Sequence, residues 1–483
     1  MTRLKWLAVA LALCMPTGVG AAASHTRVYV VLIDGLNASA LTEQLTPTLW
    51  NLVHGHGDRA TFFPDAHAVM PTVTNTNHAA LLTASYPAAN GIIGNRMTDR
   101  VVDHPPFPSE FARYLQVETL FTVAERERPD LRTAALFGKS RLVGLFTAVP
   151  GAQERPDVLW GDLQTETEGI DAKIGFGSDH RTMDEAIRTV AVQNPDLLFV
   201  ALPDVDRTEH VFGPDSAEAR RAILRVDDEI RRLIGTARAQ GTWDDTVLFV
   251  TADHGMQSVA PDRAAGRPYP LMFFGRELLR NGFEDFIALS RGGIESIFLA
   301  GTPPTTLDPG LGERLAAVRR LALAQPEIAE AWYRLPNPAD GGDASTVARA
   351  HPDWHLDHPQ AGELVLIARA HCHFGDPFEP ATAGLLANHG SAETQDIPLI
   401  ISGGDPRIRA QIIAANSAAA APATNPDIGA TVLWLLGLRP THMLSGAPVP
   451  ELLAGRVLRE AFSQPAHGDA SGSPEPRQSP QGQ

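Results

Sequence analysis

Cysteine is nearly absent from this chain: Cys14 and Cys372 are the only two in 483 residues. A form that has lost its N-terminus has no internal disulfide, so its stability must come from an apolar core or from bound metal. Positive charge is also scarce, with 40 Lys and Arg against 56 Asp and Glu and a formal net charge of −16. That balance lacks the basic footprint needed by a nucleic-acid duplex or an anionic membrane surface as partner. A small phosphorylated substrate stays open, because metals can meet its charge locally. The N-terminal apolar run, Trp6–Met15, is too short to span a bilayer. It follows Arg3 and Lys5 and precedes the small residues Ala21, Ala22 and Ala23. This order predicts a signal peptide over 1–23, export to the periplasm or the medium, and no stable membrane anchor. Leu13, bulky where a lipoprotein site wants a small residue, argues against lipidation of Cys14. Nothing in the sequence sets an oligomeric state.

Apolar residues, in contrast, make up 44% of the chain, ample for a large core. Short β-branched runs end in polar or glycine-rich turns: "RVYVVLIDGL" from Arg27, "DLLFVALPDVD" from Asp196, "DTVLFVTADHG" from Asp245, "ELVLIARA" from Glu363 and "IPLIISGG" from Ile397. Continuous runs of this kind predict strands buried on both faces, as in a parallel sheet. Between them, Ala219, Ile223, Val226, Ile230, Leu233 and Ile234 recur at helical spacing. Alternating strands and helices imply an α/β fold, a doubly wound and mostly parallel central sheet with helices on both faces. From about 260 to 362 the pattern turns irregular and rich in Pro and Gly, which predicts an inserted cap within a catalytic domain over 24–463. Residues 464–483 are polar and aromatic-poor, and predict a disordered tail.

Acidic and histidine residues gather at the ends of these runs. Asp34 follows the first, Asp206 and His210 the second, Asp253 and His254 the third, and His389 precedes the last. In an open α/β sheet, ligands collect beyond the carboxyl ends of the strands. Any one Asp there is also an ordinary helix cap, and a loop histidine is more often a satisfied surface group than a ligand. As a set, mixed Asp and His donors suit zinc, and two such ions clamp phosphoryl chemistry. Carboxylates alone would have suggested magnesium. His351, His355 and His358 in "HPDWHLDHP" read as solvent-facing loop residues, and Cys372 as an inert thiol.

The stretch "MPTVTNTNHAALLTASYPAANGIIGN", Met70–Asn95, sets Thr72, Thr74, Asn75, Thr76, Asn77 and His78 ahead of an apolar helical run. Short polar side chains there cap a helix, or present a hydroxyl to an anion at its positive end. Taken in order, Asp34, this stretch, Asp206-x-x-x-His210-x-x-Gly213-Pro214, Asp253-His254-Gly255 and His389-Gly390 resemble the alkaline phosphatase superfamily. The nearest likeness is to its nucleotide pyrophosphatase/phosphodiesterase branch, over nearly all of Arg27 to Leu453.

That resemblance implies an exported phosphoric ester hydrolase with two zinc ions, cleaving phosphodiester or pyrophosphate bonds of nucleotides through a phospho-threonine intermediate. Asp206, His210 and His389 would hold one zinc. Asp34, Asp253 and His254 would hold the other, together with the nucleophile Thr74, and Asn95 would bind the phosphoryl group. Asp204 is the alternative to Asp206, which has the branch's spacing to His210. The likeness leaves Thr76 or Asn75 to cap the helix and gives Thr72 no chemistry. The chain departs from the branch at Glu209, where glycine is usual, and in "TNTNH", where the branch has "TFPNH". Lys139 and Arg141 in "LFGKSRL" would share one face if they lie on a strand. They resemble the cation pair of the superfamily's monoesterases and phosphonoacetate hydrolases, so a monoester or phosphonate substrate is the alternative, and a solvated pair the plainer reading. A further alternative is a non-catalytic, exported metal-binding protein that keeps the fold.

Overall fold

The computed structural model describes residues 26–55, 57–146, 156–161, 179–259, 271–375, 385–415 and 421–463. The expected signal peptide, the expected tail and residues 260–270 of the expected cap lie outside them. In chain order the principal strands are β1 (Arg27–Ile33), β2 (Arg59–His67), β3 (Thr133–Phe137), β4 (Val158–Gly161), β5 (Leu197–Leu202) and β6 (Thr246–Thr251). They continue with β7 (Phe286–Ser290), β8 (Ile294–Leu299), β9 (Ile328–Tyr333), β10 (Leu364–Ala368), β11 (Asp396–Gly403) and β12 (Gln411–Ile412). The principal helices are α1 (Pro47–His54), α2 (Thr74–Thr83), α3 (Asp179–Gln193), α4 (Asp204–Phe212), α5 (Ala217–Ala239), α6 (Pro309–Leu323) and α7 (Asn425–Leu435).

The main sheet runs β12-β2-β11-β6-β1-β5-β3-β4. From β6 to β4 every pairing is parallel, and β11 runs antiparallel to both of its neighbours. Strands β1, β5 and β6 are buried almost residue for residue, because helices cover both faces. One helix group joins α1, α3, α4 and α5, and another joins α2 and α7. Helix α5 follows its apolar spacing and starts at Ser216, whose side chain accepts the Ala219 amide. Among the described residues no helix is long and apolar enough to cross a membrane.

One strand reading fails. Leu364–Ala368 does not join the main sheet but sits inside a four-stranded antiparallel sheet, β7-β8-β10-β9. Its apolar run is continuous because two cores claim alternate residues. Leu364 and Leu366 pack with Leu315 and Val318 of α6, whereas Val365 and Ile367 pack with Met70, Ile93 and Trp354. Burial on both faces, not parallel pairing, was the property the pattern carried.

Helices α2 and α7 approach closely at Gly429. A Cβ there would stand 2.1 Å from the Leu81 carbonyl oxygen and 3.1 Å from Ala84 Cβ. Gly429→Ala must push apart two helices, one of which begins at Thr74. The substitution is expected to cost about 1–3 kcal/mol in urea unfolding, the usual penalty of overpacking. An unchanged midpoint would show that this contact is looser than drawn.

Candidate active site and metal centre

Asp34, Asp206 and Asp253 emerge at the carboxyl ends of β1, β5 and β6, neighbours in the sheet. Sheet pairing therefore brings together residues far apart in sequence. The β1 and β5 ends are tied by the Asp206 N–H to Asp34 carbonyl bond at 3.0 Å, and the Gly35 N–H donates to Asp253 Oδ1 at 3.2 Å. Gly35 has φ +83°, and a Cβ there would strike Asp206 Cα at 2.8 Å, so only glycine permits this approach.

Asp206 and His210 sit one turn apart on α4, which places them on one face. The stretch read as a turn is helical, so Glu209 disturbs no turn; it is buried beside Asp206. Asp204 is instead drawn to Arg207 at 2.8 Å.

The three histidines share one arrangement. His210 Nδ1 meets the Ala387 carbonyl at 2.8 Å, His254 Nδ1 the Gly255 carbonyl at 3.0 Å, and His389 Nδ1 the Thr72 carbonyl at 2.9 Å. Fixing Nδ1 on a carbonyl makes Nε2 the unprotonated, metal-facing nitrogen. His210 Nε2 lies 3.3 Å and His389 Nε2 3.7 Å from Asp206 Oδ1, while His254 Nε2 lies 3.5 Å from Asp34 Oδ1 and 3.6 Å from Asp253 Oδ2. The tightest groups of donors, within 4.8 Å, divide differently from the resemblance: Asp206 with His254 and His389, and Asp34 with His78 and Asp253. Among the described residues, Asp34 Oδ1, Asp206 Oδ1 and Asp253 Oδ2 are buried with no hydrogen-bond donor. Orphaned carboxylate oxygens facing imidazole nitrogens fit a pair of divalent metals.

Thr74 opens α2. Its Oγ lies 3.4 Å from His254 Nε2 and 3.3 Å from Lys139 Nζ. The expectation that Asn75 or Thr76 caps this helix is not met. The N-cap is Val73, and no side chain caps from that position. Thr76 Oγ is buried without a partner, and the Asn75 amide group is drawn sideways to Ser109 Oγ and Glu110 Oε2. The cap comes from afar, as Asn95 Oδ1 accepts the Asn75 N–H at 2.9 Å. That bond leaves the Asn95 NH2 for the pocket, which Asn95 lines.

Lys139 and Arg141 do not lie on a strand: β3 ends at Phe137 and a 3-10 turn covers Ser140–Phe146. Both still line the pocket, of about 360 Å³, beside Thr74, Asp206 and His389. Lys139 is no solvated cation, being 3% exposed and 2.6 Å from Asp34 Oδ2 and 2.9 Å from Asp206 Oδ2. Arg141 donates to Asn75 Oδ1 at 3.0 Å. Burial and the adjacent Asp253 push the Asp34 carboxyl up to about 6 against the pull of Lys139. Burial also opposes the charge on Asp253, but His254 and His78 outweigh it and hold its carboxyl at about 2.

Two residues escaped the sequence reading. Thr72 offers its carbonyl to His389 and its hydroxyl to the Gly390 N–H at 3.0 Å. His78 Nδ1 lies 2.9 Å from the Thr74 carbonyl and 3.4 Å from Asp253 Oδ2, joining the start of α2 to a carboxylate. Helical spacing from Thr74 to His78 was the available signal. His351, His355 and His358 diverge: the first stacks on Trp354, the second packs on Tyr86, and the third accepts the Gln360 N–H.

Residues 28–392 match the family described as Type I phosphodiesterase / nucleotide pyrophosphatase. The chain belongs to that family. A Bis(5'-adenosyl)-triphosphatase of Bos taurus is 22% identical over 250 residues, 51% of this chain and 51% of that protein. The chain spans about half the length of the first curated relatives it matches. Among solved structures, murine ectonucleotide pyrophosphatase / phosphodiesterase 5 superposes with a TM-score of 0.64 at 17% identity, covering 91% of this chain and all 100% of that one. Phosphonoacetate hydrolase from Sinorhizobium meliloti, in complex with phosphonoformate, gives 0.60 at 16% identity, over 85% of this chain and 96% of the other. Both likenesses bear on the fold.

For this member of the family, the Asp34 carboxyl predicts how metal binding responds to acid. A metal held by Asp34 would have to displace the proton that this carboxyl keeps below about pH 6. Apparent affinity is therefore expected to fall roughly tenfold per pH unit below that point. Calorimetric titrations should show proton release growing from pH 7 to pH 5, and a flat proton count would rule out Asp34 as a metal donor.

Proposed function

We propose that the protein is an exported two-zinc phosphoesterase that hydrolyses phosphodiester or pyrophosphate bonds of nucleotides through a phospho-threonine intermediate. The observation that carries this reading is Thr74 Oγ, buried at a helix N-terminus within 3.4 Å of His254 Nε2 and beside the orphaned carboxylate oxygens. Mixed Asp and His donors favour zinc over magnesium. Asp206, His210 and His389 would hold one ion, and Asp34, Asp253, His254 and Thr74 the other. Bound there, zinc supplies Lewis acidity to the phosphoryl group and to the hydroxyl that attacks it.

Thr74 Oγ gives its proton to solvent and forms the new bond to phosphorus as the in-line bond from phosphorus to the departing oxygen breaks. That oxygen leaves with the rest of the substrate and takes a proton from solvent. The positive dipole end of α2, where Thr74 sits, favours the charge that gathers there. Asn95 donates its NH2 to a non-bridging oxygen, in a direction set by the bond its own oxygen makes to the Asn75 N–H. Lys139, already within 3.3 Å of Thr74 Oγ, adds a positive charge beside the same oxygens. Water then cleaves the phospho-threonine ester, and Thr74 recovers its proton. The name of the bovine relative, a dinucleoside triphosphatase, supports a nucleotide substrate. The antiparallel sheet β7-β8-β10-β9 and the chain around it form a second layer, and with Arg291 and Phe374 lining the pocket this layer would act as the cap.

Lys139 and Arg141 favour a second reading, a phosphate monoesterase or phosphonate hydrolase, because two cations beside one phosphate suit a dianion better than a diester. One zinc-loaded preparation decides between them through kcat/KM for a nucleotide diester, a monoester and phosphonoacetate. A tenfold preference corresponds to about 1.4 kcal/mol at the transition state. The diester is expected to lead; a monoester or phosphonoacetate in front would replace the first reading by the second.

Thr74→Ala is expected to lower kcat/KM by at least about a thousandfold while two zinc equivalents stay bound, and Asn95→Ala by about a hundred- to a thousandfold. Full activity in Thr74→Ala would remove the nucleophile, and zinc binding without turnover of any ester would remove the enzyme.

A further inference from the structure

The β7–β8 turn, Arg291-Gly292-Gly293, brings the second layer to the pocket, which Arg291 and Gly292 help to line. Its backbone lies against the His389 segment. The Gly293 N–H donates to the His389 carbonyl at 2.9 Å, and a Cβ on Gly390 would fall 1.9 Å from the Arg291 carbonyl oxygen. The Arg291 side chain reaches the Asn95 segment. Its guanidinium lies on Gly94, where a Cβ would come within 1.5 Å of Nη1, and Nη1 donates to the Arg96 carbonyl at 3.2 Å. Nε donates to Ser296 Oγ at 3.0 Å and Nη2 to the Gln360 carbonyl at 2.7 Å. One guanidinium thus bonds the residue after Asn95 and packs closely on the residue before it.

This placement is costly. Arg291 is buried, its acceptors are neutral, and among the described residues no carboxylate pairs with it. Burial without an opposing charge lowers its pKa to about 9. A buried cation set only against neutral oxygens opposes folding. In return, a planar fork satisfies three acceptors in fixed directions, which a lysine cannot do. Those acceptors belong to three separate segments: β8, the Asn95 loop and the turn before β10. The apolar seam of Met70, Ile93, Ile294 and Val365 closes the same boundary.

We propose that Arg291 is a positioning residue for Asn95. Its guanidinium fixes the Gly94–Arg96 backbone so that the Asn95 carboxamide holds the start of α2 with its oxygen and presents its NH2 to phosphate. The inference rests on the phosphoryl role of Asn95 proposed above. It also gives the second layer an indirect part in phosphate recognition, through the Asn95 carboxamide.

The test is inorganic phosphate binding to the zinc-loaded full chain, measured by calorimetry in the wild type, Arg291→Lys, Asn95→Ala and the double variant. Metal content and melting midpoint are recorded for each. Arg291→Lys is expected to weaken phosphate binding about tenfold with metal content unchanged, and the double variant to match Asn95→Ala within about twofold. Lysine keeps the charge, so wild-type affinity in Arg291→Lys would show that charge alone matters and would overturn the proposal. An equal loss in both backgrounds, or a loss that tracks metal content or the melting midpoint, would overturn it in favour of a general brace. Absence of phosphate binding by the wild type would remove the role of Asn95, and this inference with it. The expected pattern in a chain that hydrolyses no ester would sustain Arg291 and discard the enzymatic reading.

Discussion

Three carboxylates, Asp34, Asp206 and Asp253, are buried together at the ends of adjacent parallel strands, and the rest of the site answers that constraint. Like charges taken out of water repel and lose their hydration, at a cost of several kcal/mol per ion unless they are compensated. Compensation comes from Lys139 between Asp34 and Asp206, from His78 beside Asp253, and from the Gly35 amide. Among the described residues, one oxygen of each carboxylate still lacks a hydrogen-bond donor and faces His254 or the His210–His389 pair, and that of Asp253 also has His78 at 3.4 Å. A cluster that expensive has a physical rationale when a divalent cation completes it, which also makes metal binding part of the folding free energy.

Preorganisation then follows from the backbone. Each of the three histidines has one ring nitrogen committed to a carbonyl, so ring direction and tautomer are set before any ion arrives. The helix that Thr74 opens is capped by Asn95, twenty residues downstream, and not by its own polar run. Under the proposed function, recognition of phosphate and stability of the helix that carries Thr74 become one property. The second layer enters through a turn in which Gly292 and Gly293 let two backbones meet, so the pocket is assembled from both layers at once.

Much of this was legible in the residues. Strands β1, β5 and β6 declare themselves by unbroken apolar runs, because helices on both faces exclude water from every position. The ordered set of acids and histidines at their ends carried the family resemblance. The same rule misled at β10, where burial on both faces arises from two different cores in an antiparallel sheet. It also left α4 unrecognised, since a helix that begins directly after a strand shows only its first polar turn.

By itself the sequence determined which residue types stand at which strand ends, and hence the donor set on which the proposed metal-dependent chemistry rests, because side-chain chemistry and local periodicity are local properties. Tertiary structure alone decided who meets whom. Asn95 rather than Thr76 closes α2, Lys139 lies between two carboxylates instead of in solvent, His78 joins the Asp253 side of the site, and Arg291 crosses from the second layer to the Arg96 carbonyl beside Asn95. Such contacts join segments up to some two hundred residues apart. They depend on sheet order and helix approach, which no local pattern encodes.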